Sequence, residues 1–395
     1  MKMTKNPEKP EKIESVEDCL KAVAYLSSNT DKAHKLFFRG HGEAGWDLIP
    51  NLFRSENGTE NLAPYEKRIL GEMISRRPEE FSKDSSMFER LVRAQHYELP
   101  TRLLDLTLSP LVALFFACSS HEEGNGELIS FAKTKSEIKY YDSHTVSCLA
   151  HLRVLSDFGN YKQKLQQIRE KGNDFQNKIR KLQNEHSHNL KNDLSDLPDW
   201  TAFDKVLIPF LNEIFKVYDE DYLTKLQTLW ENREQEFNHF TSTEQLKRMR
   251  IEQAFPQISE TTDEYIINII YSASNHIFRQ TKEGQKLYHS ITDERPGFQN
   301  KINLEDLFQP LFVYPKQSNP RIIAQQGAFL LFGLEEKIEK ENEESLKIER
   351  FAIPHSAKAH ILKQLDNLGI NKSFIYPELA NLSSYLIDEI KSESR

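Results

Sequence analysis

PTRLLDLTLSPLVALFFACSS, residues 100–120, decides the fold class. Thr101 to Leu106 alternates with a period of two, which predicts a strand. Ser109 then offers a side-chain oxygen as an N-cap. Pro110 takes the first helical position, where its missing N–H costs nothing. Leu111 to Ala117 is almost wholly apolar, and a helix that is apolar all round is buried. A strand running directly into a buried helix points to a sheet with helices packed on it. Alternation puts Thr101, Leu103 and Asp105 on one face of the strand, and Arg102, Leu104 and Leu106 on the other. Asp105 and Thr101 are then expected to look into a common cleft, with Arg102 serving as a structural brace.

Upstream, LFFRGHGEAGWDLIPNLFR (36–54) carries a fixed positive charge into an apolar run. The pattern predicts a strand at 35–39, a loop holding Gly40, Gly42 and Gly45, and extended chain around Pro50, which bars Ile49 from helical geometry. Before it, SVED from Ser15 reads as a capping box, followed by Val16, Leu20, Val23 and Leu26 at helical spacing. Residues 64–98 read as helices with Tyr65, Ile69, Met73, Phe88, Leu91, Val92 and His96 facing inward. GELISFAK (126–133) reads as a strand.

The character changes from about 135 to 300. Tyr161, Leu165, Ile168, Phe175, Ile179 and Leu182 form a short heptad-like seam. Residues 203–253 read as helical, with Phe210, Ile214, Val217, Leu226, Leu229, Trp230, Phe237 and Phe240. Strands resume late: two in 311–333 around a proline-rich turn and one in 346–354. The charged EEKIEKENEESLK reads as a hairpin tip. A helix follows with Gly369 at its C-terminus, and then a final helix. The architecture expected is α+β: a mainly antiparallel sheet core with a large helical insertion. Its parts are a helical lead-in (1–34), a first core segment (35–134), the insertion (135–304) and a second core segment (305–395).

Bulk properties narrow the function classes. With 395 residues, 10% of them aromatic, the chain has material for a sizeable core. A net charge of −8 leaves no bulk electrostatic footprint for nucleic acid, and acids interleave the basic helices at 162–191 and 246–250. No stretch approaches the ~20 apolar residues of a membrane span. The polar N-terminus is not read as a secretory signal, and three scattered cysteines form no disulfide framework, so a reducing cytoplasm is expected. Walker, zinc-site and nucleophile-elbow motifs are absent from the sequence.

Several side chains carry chemistry. Arg39 presents a planar, permanently charged fork suited to pyrophosphate or carboxylate, and it also fits a structural ion pair with Asp105. Gly40 and Gly42 are expected to let backbone approach a ligand. His96 suits ribose binding or general-base work, or else the stitching of helix to strand. Tyr97 suits ring stacking or packing. Gln325 and Gln326 offer amides for a ribose hydroxyl, or else satisfy backbone.

Four stretches together resemble a known family: FFRG (37–40), AQHYELPTRLLDLTLSPLVALFFA (94–117), NPRIIAQQGAFLLF (319–332) and IPHSAKAHILKQLDNLGINKSFIYPELANL (353–382). Their order and spacing look like the FRG domain, whose members occur in bacteria and phage-related settings. A second layout is similar to ADP-ribosyltransferases. It combines an aromatic-Arg-Gly strand, Asp105-Leu106-Thr107 where a Ser-Thr-Ser would stand, a helix with Ala113, Phe116 and Ala117, and Gln325-Gln326 where a strand-entry glutamate would stand. The resemblance implies an ADP-ribosyltransferase-like core with NAD as cofactor and a role in phage defence or toxicity. The helical insertion would then select a macromolecular target. It makes Arg39, His96, Asp105 and Gln326 the candidate catalytic residues. Arg39, Gly40, Gln95, Tyr97, Thr101, Thr107 and Gln325 become the candidate cofactor contacts, with no metal ligands. Two other readings stay open: a non-catalytic interaction or sensor module with Arg39, His96 and Asp105 as a polar lock, and a hydrolase using His96 and Asp105.

Overall fold

The computed structural model describes residues 7–55, 61–154, 281–338 and 346–378, with single positions at 163, 275, 278, 279, 382, 383, 386, 387, 390 and 391. The heptad-like seam and the apolar positions of 203–253 lie outside the described residues. The chain divides into two compact units: Met1–Val154 with Ser290–Phe298 and Glu305–Arg395, and Leu155–His289 with Gln299–Leu304. In the second unit the described residues include an Arg279 Nε–H donated to the Ile302 carbonyl at 3.0 Å.

The sheet lies in the first unit. Its strands are β1 (His34–His41), β2 (Leu103–Thr107), β3 (Gly126–Thr134), β4 (Lys139–Tyr140), β5 (Leu311–Tyr314), β6 (Gly327–Leu331) and β7 (Leu346–Ile353). They run in the order β4-β5-β6-β2-β1-β3-β7. All neighbours are antiparallel except β4 and β5, which are parallel. Mixed α+β architecture with a mostly antiparallel open sheet is therefore what the chain forms. Ten helices are present among the described residues: α1 (Val16–Asn29), α2 (Glu66–Arg76), α3 (Pro78–Phe81), α4 (Met87–His96), α5 (Pro110–Cys118), α6 (His144–Ala150), α7 (Lys282–Glu294), α8 (Pro320–Ala324), α9 (His355–Asn367) and α10 (Lys372–Ile375). None is long and apolar enough to cross a membrane.

Local chemistry explains most boundaries. Ser15 caps α1 by accepting from Asp18 N–H, and the Asp18 carboxylate reaches back to Glu14 N–H at 3.3 Å. Ser109 caps α5, accepting from Val112 N–H at 3.4 Å, with Pro110 at the first position. Gly369 takes φ +77 after α9, so the chain reverses there and Ile370 N–H closes on the Leu365 carbonyl at 2.8 Å.

One core packs α1, α5 and α9 on one sheet face, through Cys19, Ala22, Leu26, Ala113, Leu114 and Ile361 against Phe38, Leu128 and Phe351. On the opposite face Phe37 meets Phe312 at 5.1 Å, and Phe312 meets Phe131 at 6.0 Å. Adjacent Phe37 and Phe38 therefore anchor different layers, as strand alternation requires.

Several expectations are corrected. Leu20 is 53% exposed, and the buried stripe of α1 runs through Val16, Cys19, Ala22 and Leu26 instead. Tyr65 is exposed, and the inward face of α2 is Glu66 and Leu70. β1 continues through Gly40 and His41, because their partners Leu128 and Glu127 extend the ladder. Asn51–Phe53 is a turn of 3-10 helix rather than extended chain. The proline-rich turn holds α8, started by Asn319 as cap and Pro320. The strands that flank the charged segment, β6 and β7, do not form a hairpin, since β2, β1 and β3 lie between them in the sheet; residues 339–345 of the segment lie outside the described residues.

Candidate functional site

β1 and β2 share a single register pair, Phe38 with Thr107. Alternation from that pair turns the Asp105 side chain away from that of Arg39, although both border the gap where the two strands part. Arg39 therefore meets the Asp105 main chain and not its carboxylate. Its Nη1–H donates to the Asp105 carbonyl at 2.7 Å, and its Nε–H donates to His41 Nε2 at 2.9 Å. The ion pair between Arg39 and Asp105 that the sequence allows is not formed. Among the described residues no carboxylate lies within ion-pair distance of Arg39. Burial pulls this guanidinium down to about 10, against the opposing field of Asp105 and with a further push from the Arg54 charge.

A cleft of about 270 Å³ opens beside this point, lined by β1, α4, β2, α5, α8 and β6. Arg39, Gly40, Gln95, His96, Asp105, Thr107 and Gln325 all line it. Asp105 is the one exposed residue of β2, and it is the only acid among the lining residues. Gln95 holds it in place, donating Nε2–H to Asp105 Oδ1 at 2.7 Å while its Oε1 accepts from the Thr101 hydroxyl. Thr107 donates its hydroxyl to the Gln325 carbonyl at 2.6 Å, and Gln325 Nε2–H donates to the Ile375 carbonyl at 3.0 Å. His96 lies 3.6 Å from a Glu378 oxygen. Burial, and then the Arg321 charge, lower the His96 pKa, while Glu378 opposes them, so its ring is neutral at pH 7.

Three sequence candidates stand away from the cleft wall. Thr101 is buried behind Gln95. Tyr97 is 47% exposed and donates its hydroxyl to Glu80 at 2.8 Å. Gln326 is an exposed residue at φ +45 whose carbonyl accepts from Leu108 N–H at 3.0 Å. The turn between α8 and β6 carries its side chain out of the lining set. Gly40 lines the cleft, but its missing side chain serves packing: a Cβ there would stand 1.9 Å from the Ala113 carbonyl oxygen of α5. Arg102 is the expected brace, fully buried on Glu66, with Nε–H donated to Oε1 at 2.9 Å.

Other lining residues escaped the sequence reading. His41 sits two positions after Arg39, on the same strand face, and would have been visible had β1 been extended past Gly40. Its Nδ1 meets Glu127 Oε1 at 3.0 Å, and Arg350 donates to the same oxygen at 2.6 Å. Arg321 lines the cleft with its guanidinium 4.6 Å from the Tyr376 ring centre. The Asn-Pro start of α8 was its legible signal. Trp46 lines the rim, edge-on to His121 at 4.7 Å. Lys358 of α9 fixes that rim from beneath, donating to the carbonyls of Gly42 at 2.7 Å, Ser120 at 3.1 Å and His121 at 2.7 Å. Thiol chemistry does not contribute, because Cys19, Cys118 and Cys148 are buried and each is pushed up to about 12. No group of three or more metal-binding side chains occurs among the described residues.

An α+β sheet with a polar cleft where two of its strands part defines the class of site. The family model of the FRG domain matches residues 34–126, from the first residue of β1 to the first of β3. This supports the FRG resemblance over the stretch that carries Arg39, Gln95 and Asp105. No curated protein and no solved structure matches the chain.

Proposed function

We propose that the cleft binds a phosphate-bearing nucleotide, with NAD as the first candidate, and that the protein is an ADP-ribosyltransferase-like effector of phage defence or toxicity. The observation that carries the ligand class is Arg39: a half-buried guanidinium at a cleft wall with no carboxylate partner among the described residues. A cation so placed favours an anion that brings its own charge. Arg321 adds a second guanidinium, also without a carboxylate at ion-pair distance among the described residues. Trp46 and Phe116 supply aromatic surface for a planar ring. At about 270 Å³ the cleft is near the lower bound of the roughly 300–1,000 Å³ of small-molecule sites, so one nucleotide half of NAD would occupy it and the other would lie outward.

For transfer chemistry the ribose needs a carboxylate near its hydroxyl. Gln326 stands outside the cleft, so Asp105 takes that role in this reading, with Gln95 and Thr107 ordering the ribose. The setting in phage defence rests on the FRG resemblance alone. A rival reading, a non-catalytic polar lock, draws on the fact that Arg39 and Asp105 are each bonded to the protein itself.

Calorimetry with NAD, together with an NAD-consumption assay, separates the two on wild type, Arg39→Ala and Asp105→Asn. Nucleotide binding predicts that Arg39→Ala keeps its melting temperature and loses about tenfold or more in affinity, the worth of one charge-assisted hydrogen bond. Transfer further predicts that Asp105→Asn binds NAD but does not consume it. No binding by wild type, with a large fall in the melting temperature of Arg39→Ala, establishes the lock.

A further inference from the structure

His41 is buried, and both of its ring nitrogens are engaged. Nε2 receives the Nε–H of Arg39 at 2.9 Å, so Nε2 is the acceptor and carries no proton. The ring proton must then sit on Nδ1, which faces Glu127 Oε1 at 3.0 Å. Glu127 is itself buried, and Arg350 Nη1 reaches the same oxygen at 2.6 Å. The order along this line is Arg350, Glu127, His41, Arg39: cation, anion, neutral ring, cation.

We infer that His41, held by Glu127 in its Nδ1–H tautomer, is the positioning residue that aims Arg39 into the cleft, and that adding a proton to His41 Nε2 releases the arginine. The inference rests on the reading of Arg39 as the anion-holding group. The proton balance is simple. One solvent proton binds Nε2, the lone pair that accepted Arg39 Nε–H is consumed, and two N–H donors then face each other. The freed guanidinium keeps its bond to the Asp105 carbonyl alone.

Groups from every neighbouring element bear on His41. Arg39 on its own strand and Arg350 on β7 oppose a third positive charge, while Glu127 on β3 favours it. The Trp46 ring centre lies 5.8 Å from that of the imidazole, and His121 meets the same indole edge-on at 4.7 Å. Lys358 holds the adjacent Gly42 carbonyl. Burial is the largest influence and depresses the His41 pKa, with Glu127 opposing and Arg39 adding to the depression. The arginine is therefore held at neutral pH and released in acid.

Nitrogen–proton correlation NMR on the unliganded protein reads the arrangement directly. The expected spectrum shows His41 as the Nδ1–H tautomer, with the Arg39 Nε–H signal slow to exchange until His41 titrates below the ordinary histidine value of about 6.5. His41→Gln supplies the second measurement, since an amide oxygen can accept from Arg39 and its NH₂ can donate to Glu127, but an amide cannot titrate. NAD is the probe, because its phosphodiester charges do not change in this range. Wild-type affinity should fall about tenfold between about pH 8 and about pH 5, whereas His41→Gln should hold within about twofold. An Nε2–H tautomer, an Arg39 signal indifferent to His41 titration, or the same acid loss in His41→Gln overturns the inference. If wild type binds no NAD, the nucleotide reading fails, while the unliganded spectra still decide what His41 does.

Discussion

Arg102 and Arg39 are both arginines at the junction of strands, yet they do opposite work. Arg102 is fully enclosed: besides its two bonds to Glu66 it donates Nη1–H to the carbonyls of Phe332 at 3.1 Å and Gly333 at 2.9 Å. Four of its five N–H donors are answered by these bonds within the core. Arg102→Met should cost about 3–5 kcal/mol in urea unfolding, because it strands the Glu66 carboxylate in the interior. The double variant Arg102→Met/Glu66→Leu should recover a large part of that loss. A single variant as stable as wild type would mean that the pair carries no net weight. The sequence shows why Arg102 can be assigned and its partner cannot. Alternation with Leu104 and Leu106 marks Arg102 as inward, but nothing in the chain near Glu66 distinguishes that acid from its solvated neighbours. His41 would have been legible in the same way, through its period-two relation to Arg39, had the strand been carried past Gly40, whereas Glu127 became its partner only through strand register.

Strand β1 and helix α5 approach so closely that the contact excludes a side chain. Gly40 has no positive φ, so its need for glycine comes from the Ala113 carbonyl and not from backbone strain. Gly40→Ala should destabilise by at least the ~3 kcal/mol at the top of the usual range for overpacking, since the opposing atom belongs to helix backbone and cannot rotate away. Thermal unfolding measures this, and a shift of only a degree or two would show that α5 can move. The elements themselves were largely readable: N-caps, helix-starting prolines and period-two runs locate α1, α5, β1, β2, β3 and β7. Their pairing was not. A polar run between two strands looks the same whether it turns a hairpin or crosses the sheet, because the identity of a strand's neighbour depends on distant chain. The expected hairpin of β6 and β7 fails for that reason. The approach of α5 to Gly40 was likewise invisible, since a glycine in a strand signals either a bend or a close contact.

Acid should loosen the folded protein as a body. Burial lowers the pKa of His41, His96 and His151. As pH falls through the ordinary histidine value of about 6.5, the unfolded chain takes up protons that these folded rings refuse. Stability is therefore fully present above that value, declines as pH drops through it, and stops declining from this source once the depressed folded values are passed. Urea midpoints measured across that range should fall with acidity, and a flat profile would show that these rings titrate alike in both states. Glu127 adds to the decline further down: burial raises its carboxyl, but His41 and Arg350 outweigh burial and hold it below the usual range.

Strand order has a consequence for how the protein is made. β2 is translated early, yet it lies between β1 and β6, and β6 emerges only at Gly327, long after β2 ends at Thr107. The nascent chain must therefore carry β2 with an open edge while the intervening residues are added, a condition that invites pairing with other strands. The FRG-matching stretch thus holds only β1, β2 and the first residue of β3 out of the seven strands, and the ribosome completes the cleft only when Asn319 to Phe329 arrive to form its far wall.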